Sequence, residues 1–399
     1  MTDMQDRNNK TPALITTIAF AGVLIFMMIL CLFMPDKVFS ENENRTLTKR
    51  PEFSFAYVAS GKYMKAFEQY ASDQIIGRDS WVALKSEMDI AIGKKDNGKV
   101  YFGKEGYLFQ ITEIDEVQLE KNIGYLEKFF QKSEAVNAEL NISVLVVPTS
   151  TEIMKEMLPK YAPTSEENTA IKAVKDKFGS QFCDVTPALE AQFENGIYYR
   201  TDHHWTTLGA YYAYACWVEA QGLQVHSVDD YDVNTIANDF YGTLHSKANI
   251  KTTADSIQRF DLIRNDMTKA EIEMKIYTNK GERVMDGLYD SKYLSIKDKY
   301  SYFLSGSNPL TTIENRAEVA ETDAGEDLKQ AKTLLILKDS YAHCFIPFLT
   351  DHFDSIIAVD LRYYKESISD LMEKYNVTDL MVLYNIDGFS RDRNLVYLR

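Results

Sequence analysis

Three short apolar segments near the C-terminus constrain the fold most strongly: Thr333–Leu337, Ser355–Val359 and Asp379–Tyr384. Helical patterns at about 341–353 and 365–375 separate them. Alternation of this kind predicts a βαβαβ arrangement. Strands connected in this way run parallel, and the crossovers between them are right-handed. We therefore expect a parallel sheet with helices packed against it.

The same alternation occurs earlier in the chain. Residues 142–148 have the composition of a short buried strand, and 182–185 form a second, weaker candidate. Helical patterns at 165–178 and 206–221 follow these two segments. Residues 227–330 are more polar and less periodic, so we interpret them as an insertion between two halves of one α/β domain.

Residues 13–34 contain no charged side chain. As a helix they would span roughly 33 Å, enough to cross the hydrocarbon core of a membrane. We therefore expect a single membrane-spanning anchor. A cleaved signal peptide is the alternative, but the apolar run is longer than a usual signal core and lacks a small-residue cleavage site. Basic residues flank both ends, so charge alone does not determine the orientation.

These patterns predict seven regions along the chain. They are a short tail at 1–12, the transmembrane anchor at 13–34, a polar tether at 35–60, a helical lead-in with a hairpin at 61–140, the first half of the core at 141–226, the insertion at 227–330 and the second half of the core at 331–399.

The net charge of the chain is −15. A nucleic-acid-binding protein needs a basic face to displace counterions from phosphate, so we expect no nucleic-acid partner. One of the four cysteines lies in the anchor, and the others have no metal-like spacing. Cys183 and Cys216 could pair in an exported domain or remain buried thiols, and both alternatives stay open.

Two short motifs carry the chemically active side chains. The first is Asp202-His203-His204-Trp205, and the second places Ser340 just after the strand that ends at Leu337. A carboxylate, an imidazole and a serine hydroxyl can together form a Ser/His/Asp triad. Ligand sites of open α/β sheets gather at the carboxyl ends of strands. The amides at the start of the helix after Ser340 could therefore stabilise an oxyanion there.

Two further side chains follow strands at the same predicted edge. Asn385 ends the last strand, where its amide could donate to an oxyanion or stabilise a turn. Arg362 follows the middle strand, where it could contact substrate or form a salt bridge. Both are candidate substrate-binding residues.

The motifs resemble a known family. Asp202-His203-His204-Trp205 matches the signature of the DHHW proteins, a branch of the SGNH hydrolase-like superfamily related to the alginate O-acetylation proteins. The supporting segments are Ser40–Arg45, Phe240–Leu244, Asn308–Ile313 and Lys338–His343. The resemblance implies an SGNH-like parallel sheet flanked by helices, with the Asp-x-His element preceding the serine in a permuted order.

Residue roles follow from the same resemblance. It implies that Asp202 orients the histidine, that His204 is the general base and that Ser340 is the nucleophile. We expect His203 to have a structural or substrate-edge role, because adjacent side chains in an extended segment point in opposite directions. Asp202, His203 and His204 could alternatively hold a metal, but consecutive residues rarely converge on one ion. No metal or cofactor is therefore expected.

The implied activity is O-acetyl transfer to a cell-surface or secreted polysaccharide. It requires a catalytic domain outside the cytoplasm, carried on a single-pass membrane anchor, and a multi-pass membrane O-acyltransferase as the acyl-donor partner. A carbohydrate esterase would use the same residues, with water as acceptor. A non-catalytic polysaccharide-binding or assembly protein is the alternative from another class.

Overall fold

The chain forms two compact units, Met1–Gly93 and Lys94–Arg399. The computed structural model describes residues 2–40, 45–263, 272–315 and 331–398. Parts of the Ser40–Arg45 motif and of the predicted insertion lie outside these residues.

The first unit is mainly helical. Its helices are α1 Thr2–Phe33, α2 Phe55–Ala59, α3 Lys62–Gln74 and α4 Arg78–Ala91. A two-residue antiparallel pair, β1 Phe39–Ser40 with β2 Arg45–Thr46, follows α1.

Helix α1 contains the predicted anchor. Its stretch Pro12–Cys31 has a mean hydropathy of 2.6 and is not buried against the rest of the protein. A helix of this length and composition is long and apolar enough to cross a membrane. It fits a single-pass anchor near the N-terminus.

The segment after α1, which we expected to be a polar tether, is held on α3. The amide of Lys37 donates to Gln74 Oε1 (2.9 Å), and Gln74 Nε2 donates back to the Lys37 carbonyl (3.0 Å). Arg45 forms a bidentate salt bridge with Asp73, with distances of 2.6 and 3.0 Å. These contacts fix the segment because a carboxylate and a side-chain amide in α3 satisfy its backbone and guanidinium groups.

The second unit contains the remaining strands and helices. Its strands are β3 Val100–Phe102, β4 Leu108–Gln110, β5 Asn141–Val147, β6 Tyr231–Phe240, β7 Asp255–Leu262, β8 Ile272–Thr278, β9 Gly281–Asp286, β10 Leu310–Asn315, β11 Thr333–Lys338, β12 Ser355–Val359 and β13 Asp379–Asn385. Its helices are α5 Glu116–Val136, α6 Ser150–Ile153, α7 Glu167–Phe178, α8 Thr186–Glu190, α9 Thr207–Ala220, α10 Thr243–Ala248, α11 Ile346–Leu349, α12 Ile368–Lys374 and α13 Ile386–Arg391.

A seven-stranded sheet in the order β5-β13-β11-β12-β10-β8-β9 forms the centre of this unit. Strands β5, β13, β11 and β12 are parallel, as the alternation of strands and helices predicted. Strands β10, β8 and β9 continue the sheet in antiparallel orientation, so the sheet is mixed.

The three antiparallel strands come from the predicted insertion. We had interpreted this region as lying between the halves of the domain, but part of it extends the central sheet. Met274 and Ile276 in β8 are buried, whereas their neighbours Glu273, Lys275 and Tyr277 are only partly covered. This alternation of polar and apolar residues is typical of a strand with one buried face, and it was missed because the polar residues obscured it.

The core lies on both faces of the sheet. Successive residues of a strand point to opposite faces, and the buried residues of β11 divide between two hydrophobic clusters accordingly. One cluster includes residues of α9 and of the insertion, and the other includes residues of α5, α7, α12 and α13. The sheet is thus flanked by helices, as expected.

Two predicted elements are shorter than expected. The helix predicted at 341–353 is a 3₁₀ turn, Ser340–His343, followed by α11. Pro347 has no amide hydrogen to donate to the carbonyl four residues earlier, which prevents a continuous helix. The strand predicted at 182–185 is reduced to a single bridge between Phe182 and Val144.

The cysteines are free thiols in this structure. The side chains of Cys183 and Cys216 are close enough to form a hydrogen bond with each other, and this bond together with burial raises the pKa of Cys183. The two residues are therefore neighbours but are not joined by a disulfide.

Candidate active site

Ser340 lies in a tight turn at the carboxyl end of β11. The preceding residue, Asp339, is buried and organises this turn. Its Oδ1 accepts the amide hydrogen of Tyr341 (2.8 Å), and its Oδ2 accepts from the amide of Asn385 (2.9 Å) at the end of β13. Because these bonds join two neighbouring parallel strands, Ser340 is held at the edge of the sheet where ligand sites gather.

Asp202, His204 and Ser340 form a continuous chain of hydrogen bonds. Asp202 Oδ1 lies 2.5 Å from His204 Nδ1, and His204 Nε2 lies 2.7 Å from Ser340 Oγ. Asp202 and His204 are buried, and Ser340 is partly accessible. The predicted convergence of these three side chains is therefore present, with the geometry of a nucleophile, a base and an orienting carboxylate.

The loop after β6 fixes the outer oxygen of Asp202. Oδ2 accepts from the amide of Thr243 (2.7 Å) and from its hydroxyl (3.0 Å). Gly242 packs directly against the same carboxylate, because a β-carbon at this position would lie 2.3 Å from Asp202. The Phe240–Leu244 segment therefore holds the Asp202 carboxylate in place.

Burial opposes ionisation of Asp202, but the neighbouring His203 and His204 and the hydrogen bonds from His204 and Thr243 outweigh it and hold its pKa well below the usual range. Asp202 is thus a carboxylate at neutral pH. A carboxylate in this position selects the His204 tautomer with hydrogen on Nδ1, which leaves Nε2 free to accept the serine proton.

Tyr300 packs on the face of the His204 ring. The two ring centroids are 3.9 Å apart and the planes differ by 14°. The Tyr300 hydroxyl also donates to the carbonyl of Ser340 (3.1 Å). One buried side chain thereby contacts both the histidine and the serine.

Two aromatic residues hold the backbone around the site. Trp205 Nε1 donates to the carbonyl of Tyr341 (2.9 Å), and the Tyr341 hydroxyl donates to the carbonyl of His203 (2.5 Å). Trp205 is fully buried, and its ring packs against Tyr341 and Phe345. These reciprocal bonds connect the DHHW motif to the serine turn.

His203 does not point away from His204, contrary to our expectation. The two ring centroids are 3.9 Å apart, and His203 Nδ1 lies 2.7 Å from Thr243 Oγ1 and 3.5 Å from Asp202 Oδ1. The expectation assumed an extended segment, but residues 201–204 form a bend, so alternation of side chains does not apply. With 28% of its side chain exposed, His203 borders the site.

The side chain of Asn385 forms hydrogen bonds that stabilise the turn carrying Ser340. Its Nδ2 donates to Asp339 Oδ2 (2.6 Å), and its Oδ1 accepts the amide of Gly388 (2.8 Å), which caps α13. Of the two roles considered for Asn385, donation to an oxyanion and stabilisation of a turn, these contacts match the second. They do not support a free amide available to an oxyanion.

Arg362 forms a bidentate salt bridge with Asp360, with distances of 2.8 and 2.6 Å. Asp360 is completely buried, whereas the Arg362 side chain is 38% exposed. Of the two roles considered for Arg362, substrate contact and a salt bridge, the structure shows the salt bridge.

A buried Lys–His pair lies below the serine turn. Lys338 Nζ is 2.8 Å from His343 Nε2 and 4.0 Å from Asp360 Oδ2. Burial lowers the pKa of Lys338 to about 8, partly opposed by Asp360. Burial, reinforced by the charge of Lys338, also holds the pKa of His343 well below its usual range. His343 is thus oriented towards Lys338 and does not join the Asp202–His204–Ser340 chain.

Asp202, His203 and His204 form the one group among the described residues whose ligand atoms could converge on a metal ion, all within 4.8 Å of one another. In the observed conformation these atoms already bond to each other and to Thr243 and Ser340. The atoms that could hold a metal are therefore the same ones that form the hydrogen-bonded chain to Ser340.

Sequence reasoning missed Tyr300 and Gly242. Tyr300 lies in the polar run Lys297-Asp-Lys-Tyr300, where no motif marks it. Gly242 lies inside the Phe240–Leu244 segment that carries the family resemblance, so the glycine itself was the signal available there.

Comparisons with known proteins agree with this fold. A DHHW family protein from Eubacterium siraeum is 22% identical, with a TM-score of 0.60 over 75% of this chain and 97% of that structure. Bacillus cereus PatB1 is 15% identical, with a TM-score of 0.60 over 75% of this chain and 98% of that structure.

One curated relative is the probable alginate O-acetylase AlgJ from Pseudomonas syringae pv. tomato, with 27% identity over 166 residues. The match covers 38% of this chain and 41% of that protein. The chain therefore spans less than half the length of the curated relative that it matches.

The mixed sheet flanked by helices, with a serine turn at its carboxyl edge, defines an α/β fold similar to the SGNH-like folds of these structures. The family model described as "DHHW protein" matches residues 137–359, which is more than half of the chain. The chain belongs to the DHHW protein family.

Proposed function

We propose that the protein is a membrane-anchored O-acetyltransferase that uses Ser340, His204 and Asp202 to acylate a polysaccharide outside the cytoplasm. The observation that carries the proposal is the hydrogen-bonded chain from Asp202 through His204 to Ser340 Oγ. A serine bonded to an imidazole that is oriented by a carboxylate is activated for acyl transfer.

The reaction has two steps. His204 Nε2 removes the Ser340 proton while Oγ attacks the carbonyl carbon of the acyl donor, and the imidazolium then returns the proton to the leaving group. In the second step His204 takes a proton from a sugar hydroxyl, whose oxygen attacks the acyl-serine. The imidazolium then gives this proton to Ser340 Oγ as the bond between Oγ and the acyl carbon breaks. Asp202 stays ionised and stabilises the imidazolium in both steps. We assign the backbone amide of Ser340 as an oxyanion donor.

A curated relative and the N-terminal helix support the proposed acceptor and donor. AlgJ is described as a probable alginate O-acetylase, so a polysaccharide hydroxyl is the proposed acceptor. An apolar N-terminal helix fits a protein that works at a membrane. We propose that a multi-pass membrane O-acyltransferase supplies the acyl group, since the group must cross the bilayer to reach this site.

The test uses the purified protein with a small activated acetyl ester, with and without an oligosaccharide acceptor. Wild type is compared with Ser340→Ala and His204→Ala. We expect both variants to lose ester turnover by about 10³-fold or more, because the members of a triad act as a unit. Acetate on the sugar would identify a transferase, and acetate only in water would identify the esterase with the same triad.

Folding of the variants is verified by near-UV circular dichroism. A wild-type rate in folded Ser340→Ala would overturn the assignment of the nucleophile. The non-catalytic binding or assembly role is favoured if wild type and both variants give equal background with the ester while the wild type still binds the oligosaccharide.

A further inference from the structure

Helix α4 has an inverted distribution of polar and apolar side chains. Trp81, Leu84 and Met88 follow at helical spacing on one face, and about half of each side chain is exposed (51%, 50% and 59%). The buried side chains of the same helix are Ser86 and Asp89. A helix of a soluble protein normally buries its apolar stripe, so this stripe is available to a partner.

The end of the membrane-spanning helix determines where this stripe lies. Cys31 and Met34, at the end of α1, line a small cavity of about 80 Å³ together with Gly77, Arg78 and Asp79 at the start of α4. The first turn of α4 is thus next to the last turn of the apolar span Pro12–Cys31.

Hydrogen bonds maintain this arrangement. Lys37, three residues after Met34, is bonded through both its amide and its carbonyl to Gln74 of α3, and Tyr70 Oη donates to Asp36 (2.7 Å). The indole of Trp81 is oriented by its own bond from Nε1 to the Ile76 carbonyl (3.1 Å). When α1 spans a membrane, Trp81 is therefore kept near the level at which the hydrocarbon core ends.

We propose that α4 lies along the membrane surface, with Trp81, Leu84 and Met88 inserted at the boundary between lipid headgroups and acyl chains. Tryptophan is enriched at this boundary, because its ring is apolar and its N–H forms a hydrogen bond. An exposed apolar stripe backed by a polar face is the pattern of an interfacial helix. The inference rests on the anchoring of α1 in the proposed function and adds a second membrane contact.

Trp81 is a natural probe for the test. The chain has three tryptophans, and the other two, Trp205 and Trp217, are buried in the core of the second unit. The full chain is placed in phosphatidylcholine nanodiscs with or without a phosphatidylcholine that carries a doxyl group near the headgroup. Emission is compared between wild type, Trp81→Phe and the double variant Trp81→Phe/Met88→Trp.

We expect doxyl lipid to quench most of the emission that Trp81→Phe removes, and to quench the tryptophan introduced by Met88→Trp as well. The part of the emission that comes from Trp205 and Trp217 should be unaffected. Lack of quenching at either position 81 or position 88 would overturn the proposal. In that case, quenching of Trp81 by iodide in the water would show that the stripe faces solvent, as expected if it binds a protein partner.

The anchor is assayed in the same samples. If the protein co-migrates with the nanodiscs but doxyl lipid does not quench it, α1 is still anchored in the membrane. Only the interfacial position of α4 is then refuted. Protein that separates from the nanodiscs refutes the anchoring of α1, which is part of the proposed function. The two failures are thus distinguishable.

Discussion

The imidazole of His204 and the phenol ring of Tyr300 lie face to face, with their centroids 3.9 Å apart and an angle of 14° between their planes. Since Tyr300 Oη also donates to the carbonyl of Ser340 (3.1 Å), this one side chain contacts both the histidine and the backbone of the serine. The contact comes from a region that lies about 40 residues before Ser340 and outside both motifs.

Two substitutions of Tyr300 test separately its hydrogen bond to the Ser340 carbonyl and its ring contact with His204. Tyr300→Phe keeps the stacked ring but loses a hydrogen bond worth about 1 kcal/mol, so we expect an approximately fivefold fall in kcat for ester turnover. Tyr300→Leu also loses the aromatic contact, worth about 1 kcal/mol more, and should lower kcat by a further factor of about five. KM should change little, because Tyr300 positions the reacting groups.

Tyr211→Phe provides the matched control. Tyr211 is buried in α9 and donates to the carbonyl of His226 (3.0 Å), away from the serine turn. It should lose a similar hydrogen bond without affecting kcat. Equal kcat for Tyr300→Leu and wild type would show that the stack does not position His204.

Gly242→Ala tests the support of Asp202. Its backbone, with φ −83°, is accessible to any residue, so the effect is steric: the new β-carbon would lie 2.3 Å from the Asp202 side chain. We expect about a 10²-fold loss of ester turnover, because a small displacement of a catalytic group is sufficient for that loss. Overpacking should also lower the free energy of unfolding by about 1–3 kcal/mol.

Gly124→Ala in α5 is the control, since a β-carbon there meets nothing within 4 Å. It should raise stability by up to about 1 kcal/mol through helix propensity and leave turnover unchanged. Turnover and thermal unfolding are measured on both variants. Wild-type turnover in Gly242→Ala would contradict the role assigned to the loop after β6.

The parallel half of the sheet and the three site residues could be predicted because a short stretch of sequence is enough to indicate each of them. Strands buried on both faces are runs of apolar residues, as in 334–337, and the turn after such a run places Ser340 at the edge of the sheet. The Asp-x-His spacing likewise identifies Asp202 and His204 without knowledge of the fold.

The remaining features depend on contacts between distant segments. Strand β8 was missed because the glutamate and lysine at 273 and 275 obscure its buried face. The orientation of His203 depends on a bend at 201–204, in which Asp202 Oδ1 accepts the amide hydrogen of His204 (3.0 Å). Asp is a common turn residue, but we interpreted the motif as an extended segment. Tyr300 contacts the site only because the inserted region packs over it, and tertiary packing of this kind has no local signature.

Asn385 variants test the turn that carries Ser340. Asn385→Ala loses the bond to Asp339 and the cap of α13, and should cost about 1–2 kcal/mol of stability. Asn385→Asp can still cap α13, but it places a second carboxylate against Asp339 Oδ2, which is 2.6 Å from the amide it replaces. At pH 8 we expect the Asp variant to be the less stable of the two.

The order of stability should reverse as the pH falls. Burial already raises the pKa of Asp339 in the wild type, and an adjacent carboxylate raises it further because like charges repel. A carboxyl whose pKa is raised on folding favours the folded state at low pH and loses that contribution as pH rises through the folded pKa. Urea unfolding at pH 5 and pH 8 measures this. A pH-independent order would contradict the proposed repulsion.

Glu167, at the start of α7, should make stability depend on pH near neutrality. It is buried, and burial raises its pKa from an ordinary 4.5 to about 7, although Thr149 donates to it from its amide (2.9 Å) and hydroxyl (2.8 Å). Between these two pH values the folded state keeps a proton that the unfolded state releases. Unfolding free energy therefore falls as pH rises from 4.5 to 7, by about 3 kcal/mol in total.

Glu167→Gln removes this titration. The difference in unfolding free energy between wild type and Glu167→Gln should therefore shift by about 3 kcal/mol in favour of the variant from pH 4.5 to pH 8. Glu166→Gln makes the same change at the exposed neighbour and controls for the general effect of removing one carboxylate. Urea unfolding of all three proteins across this range provides the measurement. Parallel curves for wild type and Glu167→Gln would mean that Glu167 is already ionised in the folded protein at pH 5, with the hydrogen bonds from Thr149 outweighing its burial.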